Sequence, residues 1–360
     1  MMPITSLQTW HFRNLADAEL AFGPGTSLLA GENGQGKTSI LEAIYCASFS
    51  KSFRTHRLEE CVAHGQREMR VGCRVARGSL PCRLEVRLGL PGKELRLDDK
   101  AVGISEFLEQ VSILCITADY IRIITEGPES RRRFFDGLMV QLWPSHIQAL
   151  AEYRRVVRQK NALLKSGPVR PAVLEPWNRK LVQSARTLVA RRLDFLRLLR
   201  ETGAGEEYFS GETLEIRYVP SVGPDLLESE EAALALLEAH REREAVLQRS
   251  LYGPHLDRYE LLLRGRSVRH FASSGQKRSV LMSLYFNVME LFRKEQGRLP
   301  VVMLDDVDLE LDLARIRRLL EFLDGKTQLF LTTSKPEFLA GLLSAAQLFQ
   351  VRSGAVINSI

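Results

Sequence analysis

Apolar and polar residues alternate strictly along two neighbouring segments between residues 69 and 88. Apolar side chains occupy every second position, which is the period of a strand that buries one face. They are Met69, Val71, Cys73 and Val75 in the first segment and Cys82, Leu84, Val86 and Leu88 in the second. Gly78 and Pro81 lie between the segments and predict a turn. We therefore expect a β-meander in this part of the chain.

The polar positions of the two strands carry four arginines, Arg70, Arg74, Arg83 and Arg87. Two interpretations stay open for them. Arginines of this kind commonly form the solvated face of a sheet, and a row of them also suits contact with nucleic-acid phosphates. Arg70 and Arg74 are our candidates for such contacts.

Between residues 120 and 250 the apolar positions follow the longer period of amphipathic helices. The pattern predicts helices at 130–142, 146–165, 176–201 and 228–251, separated by glycine and proline breaks. Residues 213–219 are the exception and predict a strand. Two basic sets lie on these helices, and we interpret both as polar helix faces. They are Arg154, Arg155, Arg158 and Lys160, and Arg191, Arg192, Arg197 and Arg200.

From residue 251 onward strands and helices alternate again. The pattern predicts strands at 259–263, 301–304 and 328–332, with helices at 274–293 and 313–323. We therefore predict an α/β fold in which 1–118 and 251–360 form one lobe. Residues 119–250 would form an inserted, mostly helical arm lobe.

Residues 31–38 read G-x-x-x-x-G-K-T, the phosphate-binding P-loop. A short buried strand is predicted before it and a helix after it, which is the context that this motif requires. Backbone N–H groups and the helix N-terminus would hold phosphate oxygens. The ATP-binding residues are then Gly31, Glu32, Asn33, Gly34, Gln35, Gly36, Lys37, Thr38 and Ser39. Lys37 would reach the β- and γ-phosphates, and the Thr38 hydroxyl would bind Mg²⁺.

Four apolar residues at 301–304 precede Asp305 and Asp306 and predict a buried parallel strand that ends in two acids. Ligands of open α/β sheets bind at that end of the strands. We expect Asp305 to lie near Mg²⁺ and Asp306 to orient an attacking water, so Lys37 and Asp306 are the predicted catalytic residues. Thr332 and Thr333 end the next strand, where they suit either the γ-phosphate or a helix cap.

Ser273, Gly275 and Gln276 precede an apolar helix. A serine at a helix start binds anions or simply caps the helix. The order and spacing of the P-loop, this S-x-G-Q segment and the Asp-Asp strand resemble those of ABC-type ATPase heads. In such heads the signature serine of one subunit covers the γ-phosphate held by the P-loop of another.

Further segments resemble the RecF family of bacterial recombinational-repair ATPases, which are related to SMC heads. The segments most specific to that family are Gly127-Pro128 through Asp136, and Tyr252 to His255. Others are Phe12-Arg13-Asn14, Ser52 to Thr55, Gln159 to Leu164 and Glu310-Leu311-Asp312. The resemblance covers nearly the whole chain and implies an SMC/ABC-type P-loop ATPase head.

The resemblance implies an ATP-dependent homodimer that binds double-stranded DNA near single-strand gaps or junctions. Slow ATP hydrolysis with Mg²⁺ would reopen it, and RecR- and RecO-type mediators would be its partners in recombinase loading. It also implies that Ser273 acts in trans, that Asp312 belongs to the D-loop, and that Arg131 and Arg132 contact DNA or the other lobe.

The chain departs from the family pattern at three places. Ser27 stands where the family usually has Asn, and Leu256 stands where it usually has Arg. Leu309 replaces the usual D-loop serine and cannot donate a hydrogen bond across a dimer interface. The last departure bears on the rate of hydrolysis and its coupling to dimerisation.

Composition adds a mild preference for polyanions, because the net charge is +6 and the pI is about 9.1. The five cysteines show no C-x-x-C spacing, and the sequence has neither a secretory signal nor a membrane-length apolar run. We therefore expect a cytoplasmic, nucleoid-associated protein without a membrane partner.

Three alternatives remain at this point. They are an ATPase subunit of a membrane transporter, a nucleotide-binding adaptor without significant hydrolysis, and a P-loop kinase.

Overall fold

The computed structural model describes residues 2–77, 80–90, 92–167, 170–203, 214–221, 229–307, 313–343 and 345–359. The chain divides into two compact units, residues 1–120 with 292–360, and residues 121–291. No helix among the described residues has both the length and the apolar character needed to cross a bilayer.

The first unit contains two sheets. The antiparallel one has the order β2-β1-β4-β5-β6-β7, and the other has the order β15-β14-β3-β13-β12-β8. The strands are β1 (Ile4–Trp10), β2 (Ala18–Ala21), β3 (Thr26–Ala30), β4 (Met69–Arg77), β5 (Leu80–Leu88), β6 (Lys93–Leu97), β7 (Lys100–Ala101), β8 (Ile113–Ile116), β12 (Val301–Leu304), β13 (Leu329–Thr333), β14 (Ala346–Arg352) and β15 (Ala355–Ser359).

The helices of this unit lie before, between and after those strands. They are α1 (Lys37–Phe49), α2 (Ile104–Leu108), α11 (Leu313–Leu323) and α12 (Pro336–Ala340), with short 3₁₀ turns at Leu58–Cys61 and Ala118–Ile121. The expected meander is confirmed, since β4 pairs antiparallel with β5 and β5 with β6. Its apolar positions Met69, Val71, Cys73 and Val75 are buried.

Strand β3 lies in the middle of the second sheet, parallel to both β13 and β14. A central parallel strand is covered on both faces, which explains its continuous apolar run. Strand β12 pairs parallel with β13 and β8. The carboxyl ends of β3, β12 and β13 therefore meet at one edge of the sheet, where the P-loop and the two acids begin.

The second unit is mostly helical and also holds a small sheet of order β11-β10-β9. Its strands are β9 (Leu214–Val219), β10 (Arg258–Leu263) and β11 (Arg266–Ser267). Its helices are α3 (Arg122–Thr125), α4 (Pro128–Leu142), α5 (His146–Lys165), α6 (Pro171–Arg200), α7 (Glu230–Ala239), α8 (Arg241–Leu247), α9 (Val268–Phe271) and α10 (Ser274–Gln296), which continues into the first unit.

Three sequence expectations differ from the structure. Residues 251–291 group with the arm and not with the ATPase lobe. The physical reason is that the backbone of β9 needs hydrogen-bond partners, and β10 supplies them along its full length. In addition, the helix expected at 176–201 begins at Pro171, and the helix expected at 228–251 is two helices, α7 and α8.

Candidate nucleotide-binding site

The P-loop connects the end of β3 to the start of α1. Gly34 and Gly36 have φ values of 80° and 111°, a left-handed region that strains other residues. At Gly31 a Cβ atom would lie 2.3 Å from the carbonyl oxygen of Val351. These glycines are therefore required by the backbone path as well as by phosphate access.

The turn between β14 and β15 holds the P-loop through Gln35. The backbone N–H of Gly354 donates to the Gln35 carbonyl oxygen at 2.8 Å, and that of Ser353 donates to the Gln35 side-chain oxygen at 2.7 Å. The N–H of Ala16 in turn donates to the Gly354 carbonyl oxygen at 2.9 Å. Residues from both ends of the chain thus position the loop.

Lys37 is 3% exposed and its ammonium group lies inside the loop. It donates to the carbonyl oxygens of Gly31 at 2.8 Å and Glu32 at 3.0 Å. These contacts hold the positive charge beside the backbone that would bind phosphate, as the motif predicts.

The acids of β12 meet the P-loop through two hydroxyl groups. The Oγ1 atoms of Thr38 and Thr332 donate to Asp305 Oδ1 at 2.9 and 2.8 Å. The N–H of Asp306 donates to Thr332 Oγ1 at 2.7 Å. Asp306 itself has a φ of 46°, which turns the chain at the end of the strand. The predicted pair Thr38 and Asp305 is therefore in direct contact.

Burial raises the pKa of Asp305, the Thr332 hydrogen bond opposes that change, and the charge of Asp306 adds to it. A carboxylate in this state gains from a nearby cation. The oxygen atoms of Thr38 and Asp305 are ligands of the type that Mg²⁺ prefers.

A cavity of about 530 Å³ opens beside these groups and suits a ligand of nucleotide size. It is lined by Asn33 to Ser39 of the P-loop except Gln35, by Val62 and by Asp306. Arg13, Asn14, Arg54 and His64 also line it and were not predicted as site residues. Only their local family resemblance could have pointed to Arg13, Asn14 and Arg54, because they lie outside any general motif.

Glu42 on α1 anchors two of these side chains. It is fully buried and accepts hydrogen bonds from Arg13 at 2.7 and 3.0 Å and from Arg54 at 3.2 Å. Burial works to raise the pKa of Glu42, but hydrogen bonds from Arg13 and Ser52 outweigh it and lower the pKa. Glu42 is thus a charged anchor for arginines at the cavity wall.

The signature segment forms a capping box at the start of α10. The N–H of Gln276 donates to Ser273 Oγ at 3.2 Å, and the N–H of Ser273 donates to Gln276 Oε1 at 3.0 Å. Ser273 and Gln276 are exposed, and Gly275 is half-buried. The capping role and the anion-binding role are compatible, because an accepting hydroxyl still carries its own hydrogen as a donor.

The remaining predicted residues differ in their placement. Thr332 and Thr333 are fully buried, and Thr333 Oγ1 accepts a hydrogen bond from the N–H of Lys335 at 2.9 Å. Thr333 therefore serves the turn before α12, whereas Thr332 reaches the acids. Asp312 and the other D-loop residues lie outside the described residues.

The four arginines proposed as DNA contacts fall into two pairs. Arg70 and Arg74 are exposed on β4, with Arg70 over the Trp10 ring at 4.7 Å and Arg74 3.8 Å from Glu19. Arg132 is half-buried and donates to the carbonyl oxygen of Asp257 at 2.6 Å. Arg131 is only 9% exposed and donates to three carbonyl oxygens of its own unit. Arg131, which the resemblance implied to contact DNA or the other lobe, is therefore largely buried within its own unit.

Arg192 and Lys160 are also buried, which corrects their interpretation as polar helix faces. Lys160 pairs with Glu244 at 2.7 Å. Arg192 donates to both carboxylate oxygens of Asp136 at 3.0 and 2.9 Å and to the carbonyl oxygen of Pro254 at 2.8 Å. The two segments most specific to the RecF resemblance are thus joined through one arginine.

The chain is similar to known proteins along nearly its whole length. A family model described as the RecF/RecN/SMC N-terminal domain matches residues 3–356. A "DNA replication and repair protein RecF" from a Synechococcus strain is 34% identical over 99% of this chain and 98% of its own length. The protein of the same name from Oceanobacillus iheyensis is 31% identical over 99% of this chain and 100% of its own.

Solved structures give the same result. One of the recombination mediator protein RecF with ATP, in the RecFOR pathway, has a TM-score of 0.91 at 26% identity. The alignment covers 100% of this chain and 98% of that one. An SMC head bound to a winged-helix domain of ScpA shares the fold at a TM-score of 0.57 and 14% identity, with 99% and 97% of the two chains covered.

Proposed function

The chain belongs to the RecF family of DNA replication and repair proteins, and we propose that ATP joins two copies of it into a clamp on double-stranded DNA. The family has an SMC-like, P-loop ATPase fold and includes solved structures with ATP bound. The proposed clamp closes when the Ser273 end of α10 in one copy covers the γ-phosphate held by Lys37 in the other.

The observation that carries this proposal is the exposed capping serine. Ser273 presents a hydroxyl donor and the positive end of a 23-residue helix to solvent. Every described residue that lines the nucleotide cavity belongs to the first unit, whereas Ser273 belongs to the second. A second copy would supply the serine and cover the open side of the cavity.

Mg²⁺ fits the pair formed by Thr38 and Asp305. Burial and the charge of Asp306 raise the pKa of Asp305, and a cation would offset both effects. The ion would neutralise charge that develops on the transferred phosphate. Asp306 would position the attacking water. The Leu309 departure supports slow turnover, so we propose a weak, DNA-stimulated ATPase whose hydrolysis reopens the clamp.

DNA would be held through its phosphates, with Arg70 and Arg74 of β4 as the exposed contacts. Duplex next to a single-strand gap or junction is the proposed substrate, and RecR- and RecO-type mediators are the proposed partners in recombinase loading. The full-length similarity to repair proteins supports this function over that of a transporter subunit or a kinase. Measurement of ATP turnover with and without DNA would distinguish this function from that of a nucleotide-binding adaptor without significant hydrolysis.

Mixing two inactive variants tests the arrangement in trans. Lys37→Ala removes the phosphate-binding lysine but keeps the serine, and Ser273→Arg keeps the P-loop but blocks the cover. Each alone should stay monomeric with ATP in light scattering. An equimolar mixture should form a dimer with one intact composite site and recover part of the DNA-stimulated turnover.

The single variants and the mixture of each with itself are the controls. No recovery in the mixture, with both variants folded and Ser273→Arg still binding ATP, would contradict a site shared between copies. Wild-type protein that stays monomeric with ATP and with duplex or gapped DNA would contradict the clamp itself.

A further inference from the structure

The second unit contains a cavity of about 350 Å³ that is lined by three arginines together with several apolar residues. Arg131, Arg258 and Arg269 line it together with one acidic residue, Glu260, and with His270. Three guanidinium groups against one carboxylate leave two net positive charges at neutral pH.

Arg131 forms the buried wall of this cavity. Its Nη1 donates to the carbonyl oxygens of Ile123, Ile124 and Glu126 at 3.1, 3.4 and 3.1 Å, which fixes the guanidinium at the end of α3. Its Nε is buried and has no hydrogen-bond partner within the described part of the chain. A buried donor of this kind without a partner carries a free-energy cost that a ligand can remove.

The charge of Arg131 is compensated only in part, because Glu260 raises its pKa while larger effects lower it. Burial lowers its pKa, and the neighbouring positive charges of Arg269 and Arg132 lower it further. Repulsion between guanidinium groups is unfavourable in the free protein, and the attraction of each group to an anion between them would outweigh it.

The other two arginines approach from different elements. Arg258 begins β10 and Arg269 lies in α9, and both are exposed. Among the described residues, no acidic side chain forms an ion pair with either of them. Solvated basic faces usually follow one helix, whereas here three separate elements bring arginines to one cavity.

We propose that this cavity binds a phosphate group. A phosphate carries up to two negative charges on tetrahedrally arranged oxygens, and the planar donor pairs of arginine match that geometry. The phosphate can belong to a free phosphorylated molecule or to a DNA strand, and the chemistry of recognition is the same in both cases.

The position of the cavity links it to the signature segment. Arg269 and His270 lie in α9, which ends two residues before Ser273. A bound phosphate therefore holds the segment that leads into the capping serine. This consequence rests on the proposed function, whereas phosphate binding does not.

Calorimetric titration with pyrophosphate tests the site. The full chain carrying Lys37→Ala is used, so that the P-loop does not bind the probe. Adding Arg258→Ala and Arg269→Ala should weaken binding about tenfold or more, because two charge-assisted contacts are lost. Arg266→Ala is the matched control, since it removes an exposed arginine from the adjoining β11 that does not line this cavity.

Duplex DNA binding with ATP, measured on proteins with an intact P-loop, separates the two sources. A DNA source predicts that the Arg258→Ala/Arg269→Ala protein binds DNA about tenfold more weakly and with a shallower salt dependence than the Arg266→Ala protein. A free ligand predicts unchanged DNA binding with loss of pyrophosphate binding.

Pyrophosphate binding that is absent, or equal in the double variant and the Arg266→Ala control, overturns the proposal. The titration needs neither ATP nor a dimer, so failure of the clamp leaves this test valid. Both arginines are exposed, and matching unfolding curves confirm that the variants fold.

Discussion

The acids of the nucleotide site and those of the second unit are held in opposite ways. Asp305 receives hydrogen bonds from two neutral hydroxyls, and its pKa is raised by burial and by Asp306. Burial also works to raise the pKa of Asp136, but His146 and the paired Arg192 outweigh it, so the pKa is lowered. The first carboxylate needs a cation from outside, and the second already has one within the fold. A carboxylate without a cationic partner among the described residues thus distinguishes the nucleotide site from the structural cluster around Arg192.

The largest effect on folding is expected for Arg192→Ala. It leaves Asp136 and Asp257 as buried charges without their shared cation and should cost about 3–5 kcal/mol of the free energy of unfolding. Urea denaturation measures this loss. Arg197→Ala on the same helix is the control, because that side chain is exposed and its ion pair is solvated, so its removal should leave the free energy of unfolding nearly unchanged. Equal losses of stability in the two variants would show that Arg192 does not stabilise the buried acids of the second unit.

Lys37→Ala should strongly weaken ATP binding but have only a small effect on the free energy of unfolding. We expect ATP affinity to fall about a hundredfold or more, which corresponds to about 2.7 kcal/mol, because the positive charge that would pair with the phosphates is lost. The free energy of unfolding should change by about 1 kcal/mol, since the lysine's partners are two carbonyl oxygens at the loop surface. Titration with ATP and urea denaturation of one preparation give both values. Unchanged ATP affinity would contradict the P-loop assignment.

Asp305→Asn should stabilise the nucleotide-free protein at pH 7, because it removes a carboxylate whose charged form is disfavoured by burial. The folded pKa of Asp305 lies above its unfolded value, so its contribution is complete below the unfolded pKa and lost as pH rises through the folded pKa. The advantage of the variant should vanish at acidic pH. Thermal unfolding across pH measures it, and magnesium-dependent ATP hydrolysis should fall in the same protein.

Asp136→Asn should change the stability at neutral pH in the opposite direction to Asp305→Asn. The folded pKa of Asp136 is lowered, so its contribution is present above the unfolded pKa and lost as pH falls through the folded pKa. This variant should be destabilised at neutral pH. A shared direction for the two substitutions would show that the acids are not held differently.

The smallest effect on stability is expected for Arg70→Ala combined with Arg74→Ala. Both side chains are exposed, so the free energy of unfolding should stay within about 0.5 kcal/mol. If both contact phosphates, the slope of log affinity for DNA against log salt should decrease by about two. A fluorescence titration at several salt concentrations measures the slope. An unchanged slope would exclude them as contacts.

The sequence predicted those features that depend on residues close together in the chain, namely the phosphate-binding motif and the periodicity of strands and helices. Gly31 to Thr38 need no distant partner to be identified, and the alternation at Met69 to Val75 specifies a half-buried strand. The pairing of Arg192 with Asp136 could not be predicted, because 56 residues separate them and periodicity assigns any arginine to the solvent face. The contacts of Arg131 with backbone carbonyl oxygens of residues 123–126 were likewise not predicted.

The boundary between the two units was not predicted for a different reason. Local patterns correctly predicted strands at β9 and β10, but no local signal specifies that they pair with each other. Such non-local pairing depends on the whole fold and decides which unit residues 251–291 join.

The turn that holds Gln35 has a consequence for synthesis of the chain. The P-loop motif emerges early from the ribosome, yet its backbone contacts and the strands beside β3 come from residues beyond 328. A nascent chain that stops before residue 346 therefore contains the P-loop sequence but lacks β14 and the turn that hold the loop in place. We therefore expect chains that end before β14 not to bind ATP, so they should not compete with longer chains for nucleotide.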